Sequence, residues 1–525
     1  MMRTWPWMIV LAVSLWGCDK DPMEENPPPS IVVGEDVVTD DGPVRGRLAS
    51  DLVLFQGIPY AAPPTGNLRW APPARPEPWT TPRQATAFGP VCPQTKSTPT
   101  QSEDCLTLNI WAHPKGPARA VLVWIHGGGF IEGNSGEGWY DGAELARRQD
   151  IVVVSVNYRV GLLGFLALPQ LTAPDGGTGN WGLRDQIAAL GWVRRNIAVF
   201  GGDPSRVMIT GESAGGASVV ALLASPPAQG LFQRAAIQSG LYRAVLAKDE
   251  PVGAFPSASL VGLQSASRLG CSSGDIAACL RGKTPAQVLE AQSQLSPVYE
   301  LGFALRPTLP VVDGVILTDR PLARLRSGSG DVPVLMGAND DELSFVMASS
   351  GVVGNPGDFG RYVELMGAGA KKEELTALYQ PSVVGEVVAA TALGTDVSFT
   401  CPARKLAEVS AAAGSSNAWL YRFGHALPNG PLAALGVVHG TDLLYLFGRF
   451  DQVATTPAPA DLELSARVQE AWGSLARTGV PTTTPEWPAF SAAGGFLTWK
   501  TPIATETTWR SGRCATLEAM GLLPE

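Results

Sequence analysis

The stretch that decides the fold is Val207-Met208-Ile209-Thr210-Gly211-Glu212-Ser213-Ala214-Gly215-Gly216. Its first four residues favour a strand, and the small and apolar residues from Ala217 to Ala224 favour a helix. Between them, the pattern G-x-S-x-G is typical of a sharp strand–turn–helix connection with serine at its tip. Glycine two residues before and after Ser213 removes the Cβ atoms that would clash in so tight a turn. We therefore expect an exposed serine that a neighbouring base can activate as a nucleophile.

A second glycine-rich motif lies upstream. The apolar run Ala120–Ile125 predicts a buried strand, and it leads into His126-Gly127-Gly128-Gly129-Phe130. Consecutive glycines can also form a simple flexible turn. They can equally point backbone N–H groups into a cleft, where these stabilise the negative oxygen of a carbonyl under attack. Beside the serine turn, we interpret this H-G-G-G motif as an oxyanion loop.

The base must be one of four histidines. We expect the ring of His126 to be structural, His113 to lie at the surface, and His425 to pack or cap after the strand-like run 419–423. His439 lies in a loop of small residues late in the chain. That position fits the order serine, acid, histidine of α/β hydrolases, and it favours His439 as the base.

The acid is less defined by pattern. A strand-like run at 332–336 continues into Gly337-Ala338-Asn339-Asp340-Asp341-Glu342, where three acids follow one another. Spacing alone leaves all three open, and two of them are expected to be ordinary solvated loop carboxylates.

Several further motifs resemble the type B carboxylesterase family, which includes bacterial para-nitrobenzyl esterases, liver carboxylesterases and cholinesterases. The resemblance runs from about residue 31 to about residue 515. It is carried by Phe55-Gln56-Gly57-Ile58-Pro59-Tyr60-Ala61, Leu68-Arg69-Trp70, Ser102-Glu103-Asp104-Cys105-Leu106-Thr107-Leu108-Asn109-Ile110, Asn180-Trp181-Gly182-Leu183-Arg184-Asp185-Gln186 and Phe200-Gly201-Gly202-Asp203-Pro204.

The resemblance implies a serine hydrolase that cleaves carboxylic esters through an acyl-enzyme intermediate. It assigns the catalytic triad to Ser213, His439 and Glu342, with Asp341 kept as the alternative acid. It places the oxyanion donors on the amides of Gly128, Gly129 and Ala214. Three more residues resemble positions that support the site or line its pocket: Glu212, Ser239 and Asp442. For Glu212, the alternative interpretation is a turn residue whose carboxylate accepts hydrogen bonds from backbone amides.

The resemblance also implies three disulfides. Six of the seven cysteines would pair in chain order, as Cys92–Cys105, Cys271–Cys279 and Cys401–Cys514. Sequence alone allows fifteen pairings of six cysteines. Unpaired buried thiols in a reducing compartment are the alternative.

Strand-like runs alternate with helix-like runs through the middle of the chain. This alternation predicts an α/β fold with a mostly parallel central sheet and helices on both faces, which is the α/β-hydrolase fold that the resemblance implies. The catalytic motifs spread from residue 126 to residue 439, so they must meet within one folded unit. We predict a single domain over 31–525, with less regular, helix-leaning insertions at about 245–330 and 345–400 that wall the pocket.

The N-terminus predicts export. Residues 1–17 read as a signal peptide, because Met1-Met2-Arg3 is basic and the apolar run after it is too short for a stable membrane span. Leu15-Trp16-Gly17-Cys18 resembles a bacterial lipobox, so Cys18 is a candidate for lipidation. Residues 18–30 are then a flexible, proline-rich tether. We expect a membrane-anchored lipoprotein that faces the periplasm or the cell surface, with ordinary secretion as the alternative. The choice of membrane and the oligomeric state stay open.

Composition excludes several other classes. The net charge is −9 without clustered basic residues, which argues against nucleic acid as a partner. No H-E-x-x-H motif or C-x-x-C repeat indicates a metal, and we expect no cofactor.

The substrate class is inferred from what the first disulfide loop lacks. Cholinesterases hold a quaternary ammonium on a tryptophan in that loop, whereas Pro93–Asp104 contains no aromatic residue. We expect a broad esterase for short to medium acyl chains on small-molecule substrates. The alternatives are a non-catalytic cholinesterase-like binding domain, and a lipase or acyltransferase that uses the same triad.

Overall fold

The computed structural model describes residues 1, 30–96, 100–253, 255–298, 304–350, 352–355, 357–412, 417–491 and 495–523. The predicted signal peptide apart from Met1, the residue Cys18 and the predicted tether apart from Ser30 lie outside the described residues.

The fold is organised by one sheet of eleven strands. In chain order the strands are Arg47–Ala49 (β1), Leu52–Pro59 (β2), Thr107–Ala112 (β3), Arg119–Ile125 (β4), Val152–Val156 (β5), Gly202–Glu212 (β6), Arg234–Gln238 (β7), Val334–Asn339 (β8), Ala418–Phe423 (β9), Phe496–Trp499 (β10) and Ala504–Glu506 (β11). Across the sheet they lie in the order β11-β10-β9-β8-β7-β6-β4-β5-β3-β2-β1.

The sheet is parallel in its centre and antiparallel at its edges. Strands β4 to β10 pair in parallel. Strands β1, β2 and β3 at one edge and β11 at the other pair antiparallel. In parallel strands the carboxyl ends lie at one edge of the sheet, where open α/β sheets build their sites. The predicted serine turn, glycine loop and acidic loop follow β6, β4 and β8 at that edge.

The central strands are buried on both faces because helices cover both. In β4, Val121, Val123 and Ile125 pack into one apolar cluster, and Ala120, Leu122 and Trp124 pack into a second cluster on the other face. Helices Trp181–Asn196, Ala214–Ala224, Pro321–Arg326 and Cys401–Ala412 contribute to the first cluster. Helices Ala143–Gln149, Thr441–Phe447 and Pro459–Thr478 contribute to the second.

The remaining elements form the insertions and the periphery. The further helices are Gly161–Phe165, Ala258–Arg268, Ile276–Arg281, Pro285–Ser293, Ser344–Ser350, Asp358–Leu365, Lys372–Tyr379, Pro381–Val384, Glu386–Thr395 and Ser511–Ala519, with a π-helical turn at Asp396–Thr400. Short strands Ile31–Val32, Asp36–Val38, Pro43–Arg45, Arg83–Gln84, Lys115–Gly116, Leu246–Ala247 and Val311–Val312 form three small sheets. Of the two insertions predicted to be helix-leaning, 345–400 is largely helical in its described residues. In 245–330 the described residues form four helices separated by irregular segments and the short strands Leu246–Ala247 and Val311–Val312.

The structure joins the three cysteine pairs that the resemblance implies. The Cα atoms are 5.1 Å apart in Cys92–Cys105, 5.7 Å in Cys271–Cys279 and 5.2 Å in Cys401–Cys514. Over the described ranges, no helix has the length and apolar character needed to cross a bilayer. The same ranges hold no group of three or more His, Cys, Asp or Glu side chains arranged to bind a metal ion.

Candidate active site

The serine turn has the strained backbone that its sequence predicts. Ser213 joins β6 to the helix Ala214–Ala224 with φ 57° and ψ −120°. A non-glycine residue with positive φ is energetically unfavourable, and such residues cluster at functional sites. The amide of Ser213 donates to the carbonyl of Gln238 at 3.0 Å, which ties the turn to β7. The side chain of Ser213 stays partly exposed.

Both glycines of the G-x-S-x-G pattern are required by close backbone approach. A Cβ on Gly215 would lie 2.1 Å from the carbonyl oxygen of Ile125, and a Cβ on Gly211 would lie 2.5 Å from the carbonyl carbon of Gly215. Neither contact is possible for a real side chain. The glycines therefore let the helix after the serine pack directly onto the ends of β4 and β6.

The glycine loop after β4 lies beside the serine. A Cβ on Gly127 would be 3.2 Å from Cβ of Ser213. Gly128 and Gly129 have φ of 106° and 60° and are partly exposed. Within the described part of the chain, the amides of these two glycines donate to no protein acceptor. Ala214 is the first residue of its helix, so its N–H also has no intrahelical acceptor.

His126 has the structural role expected of it. Its buried ring stacks on Tyr158 with centroids 4.3 Å apart, and Nδ1 lies 2.9 Å from the carbonyl of Gly127. Burial lowers the pKa of His126 to about 4. The ring is therefore neutral at physiological pH and donates from Nδ1 to that carbonyl.

His439 lies between two carboxylates. Its Nδ1 donates to Oε2 of Glu342 at 2.5 Å, and its backbone amide donates to the carbonyl of Glu342 at 3.2 Å. Its Nε2 lies 3.1 Å from Oε1 of Glu212, the residue before the serine. Among the described hydrogen bonds, none joins Oγ of Ser213 to the imidazole. The structure thus places Ser213, His439 and Glu342 in one site, with Glu212 in contact with Nε2.

The carboxylates change the acidity of this site. Burial alone would lower the pKa of His439, but Glu212 and Glu342 outweigh it and raise that pKa to about 9. Burial also raises the pKa of Glu212 to about 8, against the opposing effect of His439. Oε1 of Glu212 accepts no aligned hydrogen bond from the described residues. Among the described residues no backbone amide donates to the Glu212 carboxylate, so the turn interpretation lacks the hydrogen bond that it requires.

A buried polar network holds Glu342. Its Oε1 accepts a hydrogen bond from Oγ of Ser239 at 2.6 Å and from the amide of Asn339 at 2.6 Å. The side chain of Asn339 then donates to Oδ1 of Asp442 at 3.2 Å. Ser239 therefore touches the acid directly, whereas in the described residues Asp442 is connected to it through Asn339.

Asp442 is itself held by residues that the sequence did not single out. Its Oδ2 accepts from Nε2 of Gln238 at 2.9 Å and from the hydroxyl of Tyr421 at 2.8 Å. Gln238 ends β7 and Tyr421 lies in β9, so the sheet itself fixes both donors. The only signal in the sequence was that Gln238 directly precedes Ser239 and that Tyr421 lies in the strand-like run 419–423.

The two aspartates before Glu342 have other partners. Both oxygens of Asp340 pair with Arg422 at 2.7 Å. Oδ2 of Asp341 accepts from the amide of Val437 at 3.1 Å. Of the three acids that spacing left open, only Glu342 contacts the imidazole of His439.

The remaining two histidines lie away from the serine. His425 packs as expected, with Nε2 2.8 Å from Oδ1 of Asp461 and its ring against Tyr445. The expectation of a surface position for His113 is wrong. Its side chain is only 14 % exposed, and Nε2 lies 3.1 Å from the carbonyl of Ala146. The helix Ala143–Gln149 packs beside this strand end and covers the ring, a tertiary contact that local sequence does not encode.

Both insertions reach the site, as predicted. A Cβ on Gly129 would lie 3.5 Å from Cδ1 of the buried Leu305 in the first insertion. Phe399, from the second insertion, packs its ring 5.0 Å from the ring of His439. Sequence reasoning did not identify Phe399 as a site residue.

The sequence is similar to that of known proteins over most of its length. The sequence profile of the family described as "Carboxylesterase family" matches residues 34–517. The chain is 35 % identical to a para-nitrobenzyl esterase of Bacillus subtilis (strain 168), over 86 % of this chain and 92 % of the relative. It is 33 % identical to an acetylcholinesterase of Bungarus fasciatus, over 98 % and 90 %. It is 34 % identical to a fumonisin B1 esterase of Sphingopyxis macrogoltabida, over 89 % and 86 %.

A solved structure gives the same result in three dimensions. The structure titled "PNB esterase" matches with a TM-score of 0.80 and 32 % identity, over 92 % of this chain and 99 % of that one. A match this complete, on a sheet with the serine turn, glycine loop and acid loop at one edge, shows the α/β-hydrolase fold. The chain belongs to the carboxylesterase family and is a serine hydrolase of carboxylic esters.

Proposed function

We propose that Ser213, His439 and Glu342 form the catalytic triad of this esterase. The observation that carries the proposal is the 2.5 Å contact between Nδ1 of His439 and Glu342, made beside a serine with strained positive φ. Glu342 holds the imidazole in the tautomer that leaves Nε2 free to accept the serine proton, and it stabilises the imidazolium that then forms.

The reaction proceeds in two halves. In the first, Oγ of Ser213 attacks the ester carbonyl while Nε2 of His439 takes its proton and passes it to the leaving alcohol. The amides of Gly128, Gly129 and Ala214 donate to the oxyanion. In the second half, Nε2 of His439 takes a proton from a water that attacks the acyl-enzyme. The imidazolium then returns that proton to Oγ of Ser213 as the acyl–oxygen bond breaks and the acid leaves.

Catalysis requires Nε2 of His439 to replace its contact with Glu212 by a hydrogen bond with the Ser213 hydroxyl. In the structure without substrate this nitrogen lies 3.1 Å from Glu212. Catalytic hydrogen bonds are often long in free enzymes and tighten when substrate binds. Loss of the Nε2 proton to solvent and rotation of the Ser213 hydroxyl towards that nitrogen would complete the triad.

The proposed substrates are uncharged small-molecule esters with short to medium acyl chains. The absence of an aromatic residue in Pro93–Asp104 supports this over choline esters, because a quaternary ammonium needs an aromatic face. Two of the relatives, the para-nitrobenzyl esterase and the fumonisin B1 esterase, are named for esters that are not choline esters.

The test is hydrolysis of para-nitrophenyl acetate, butyrate and octanoate by the oxidised protein, beside Ser213→Ala and beside acetylthiocholine as a cationic substrate. We expect turnover of the neutral esters, background rates for the variant, and little turnover of acetylthiocholine. Equal rates in both proteins would remove Ser213 as nucleophile. Preferred turnover of the thiocholine ester would overturn the substrate class.

We also propose that the chain is exported and lipidated at Cys18. The support is the sequence alone: a basic start, a short apolar run and a lipobox-like Leu15-Trp16-Gly17-Cys18. Expression in a bacterium with labelled palmitate should label the wild type and not Cys18→Ser. Release of an unlabelled, processed wild-type protein into the medium would favour ordinary secretion.

A further inference from the structure

The second insertion contains an irregular turn immediately beside the site. The helix Glu386–Thr395 passes through a π-helical turn at Asp396–Thr400 before the helix Cys401–Ala412 begins. A single π turn inserts an extra residue into a helix, is intrinsically unfavourable, and is found frequently at functional sites because it redirects side chains. All five residues of this turn are buried.

The side chain that this turn presents to the site is Phe399. Its ring is fully buried, and it packs on the ring of His439 with centroids 5.0 Å apart and planes at 48°. Glu342 fixes one edge of the imidazole through Nδ1, but a single hydrogen bond leaves the ring free to swing about that contact. A buried aromatic ring against the imidazole restricts this swing, since an outward rotation would leave a gap in a packed interior.

The turn is anchored at its first residue. The carboxylate of Asp396 has no exposed area, pairs with Arg510 and accepts a hydrogen bond from the hydroxyl of Tyr379 at 2.8 Å. Arg513 lies 3.7 Å from its second oxygen. A buried carboxylate with two cations and a hydroxyl is held in a fixed place, and removing one partner is costly.

The same arginine connects the turn to the loop of the catalytic acid. Nη2 of Arg510 donates to the carbonyl of Asp340 at 2.9 Å, two residues before Glu342. The Cys401–Cys514 disulfide links the segment of Arg510 covalently to the end of the turn. Arg510 therefore contacts both the element that carries Phe399 and the element that carries Glu342.

From these contacts we propose that Phe399 is a positioning residue for His439. The Asp396–Arg510 pair fixes the position of Phe399 relative to Glu342. Phe399 touches neither the reacting oxygen nor the proton. It acts by holding the imidazole so that Nε2 remains in reach of Ser213. The inference rests on the proposed role of His439 as the base.

The test compares Phe399→Leu with Phe359→Leu. Phe359 is a matched control because it is a buried phenylalanine of the same insertion, and its aromatic neighbour is Tyr379 rather than His439. Displacement of a catalytic group by up to about 1 Å lowers kcat by about ten- to hundredfold. We expect that loss in Phe399→Leu, with KM for para-nitrophenyl butyrate unchanged, and wild-type kcat in Phe359→Leu.

A spectroscopic readout separates positioning from general destabilisation. The Nδ1 proton shared with Glu342 should give a far-downfield proton NMR signal, assigned by its loss in Glu342→Gln. We expect this signal to broaden or disappear in Phe399→Leu and to persist in Phe359→Leu. Arg510→Met should resemble Phe399→Leu in both readouts.

Several outcomes would overturn the proposal. Folded Phe399→Leu with wild-type kcat and an unchanged signal would show that the ring positions nothing. Equal loss of kcat in both phenylalanine variants would show a general packing effect. A folded Arg510→Met with normal kcat and signal would overturn the role of the Asp396–Arg510 pair. Absence of turnover in the wild type would instead refute the proposed function.

Discussion

Replacement of Glu212 by glutamine tests the most unusual feature of the site. Glutamine keeps the size and shape of the side chain but removes the charge that lies 3.1 Å from Nε2 of His439. The base must be neutral to accept the serine proton, and a neighbouring carboxylate stabilises its charged form. We therefore expect the ascending limb of kcat/KM against pH to move to lower pH in Glu212→Gln.

The size of the shift follows from the geometry. Two unit charges at the observed 3.1 Å attract by ~1.3 kcal/mol in water and by ~5 kcal/mol at an effective dielectric of about 20. One pKa unit corresponds to about 1.4 kcal/mol. The limb should thus move by between about one and about four units. The side chain of His439 is 31 % exposed, which places the expected shift near the lower end.

The direction of the shift follows from the order in which Glu212 and His439 lose their protons. With the pKa of His439 at about 9 and that of Glu212 at about 8, the wild-type imidazole keeps its proton until the solution is alkaline. Its activity should then rise as pH passes through that range. Without the charge of Glu212, the imidazole loses its proton at lower pH, so the variant should work at a larger fraction of its plateau rate at neutral pH.

The assay is initial-rate hydrolysis of para-nitrophenyl butyrate from about pH 5 to about pH 10, corrected with Ser213→Ala at each pH. Glu137→Gln is the matched control, because Glu137 pairs with Lys96 at 3.3 Å rather than with His439. An unmoved limb in Glu212→Gln, or one that moves to higher pH, would refute the electrostatic reasoning. A shift of equal size in the control would attribute it to net charge.

Three further predictions concern the acid, the turn and the disulfide. Glu342→Gln should lower kcat on the order of 10⁴-fold, while Asp341→Asn should retain turnover, and the reverse result would reassign the acid. Gly215→Ala should lower the thermal midpoint and abolish activity, because the new Cβ would lie 2.1 Å from the carbonyl oxygen of Ile125. Gly191→Ala should do neither, because its Cβ would lie 3.6 Å from the nearest atom, Nη1 of Arg195. Alanine at both ends of Cys401–Cys514, which closes a separation of 113 residues, should lower the free energy of unfolding by ~4–5 kcal/mol in urea titration, and a loss below about 1 kcal/mol would contradict the chain-entropy account.

Local patterns predicted the parts of the site that are set by local geometry. The serine turn needs small residues where backbones touch, so Gly211 and Gly215 are visible in the sequence as a fixed spacing. The strands before each loop are buried on both faces and appear as continuous apolar runs. For this reason the placement of the serine turn, the glycine loop and the acid loop at one sheet edge could be anticipated.

Long-range contacts could not be read in the same way. The contact of Glu212 with Nε2, the support of Asp442 by Gln238 and Tyr421, and the packing of Phe399 on His439 all join residues far apart in the chain. None of these residue types at these positions is unusual by itself. The choice among three consecutive acids was likewise undecided by spacing, and the resemblance to a family supplied it.

The distribution of hydrogen-bond donors explains how one imidazole can lie among three buried acids. Hydrogen bonds to a carboxylate stabilise its charged form, whereas burial alone favours the neutral acid. Glu342 accepts from Ser239, the amide of Asn339 and His439.

Asp442 likewise accepts three hydrogen bonds, from Gln238, Tyr421 and Asn339. Oε1 of Glu212 has no such donor, and burial raises its pKa to about 8. Burial therefore favours the protonated form of Glu212. Donors fixed by the strands thus hydrogen-bond two of the acids behind the imidazole. Glu212, whose Oε1 lacks such donors, is the acid in contact with Nε2 of His439, the nitrogen that must accept the serine proton.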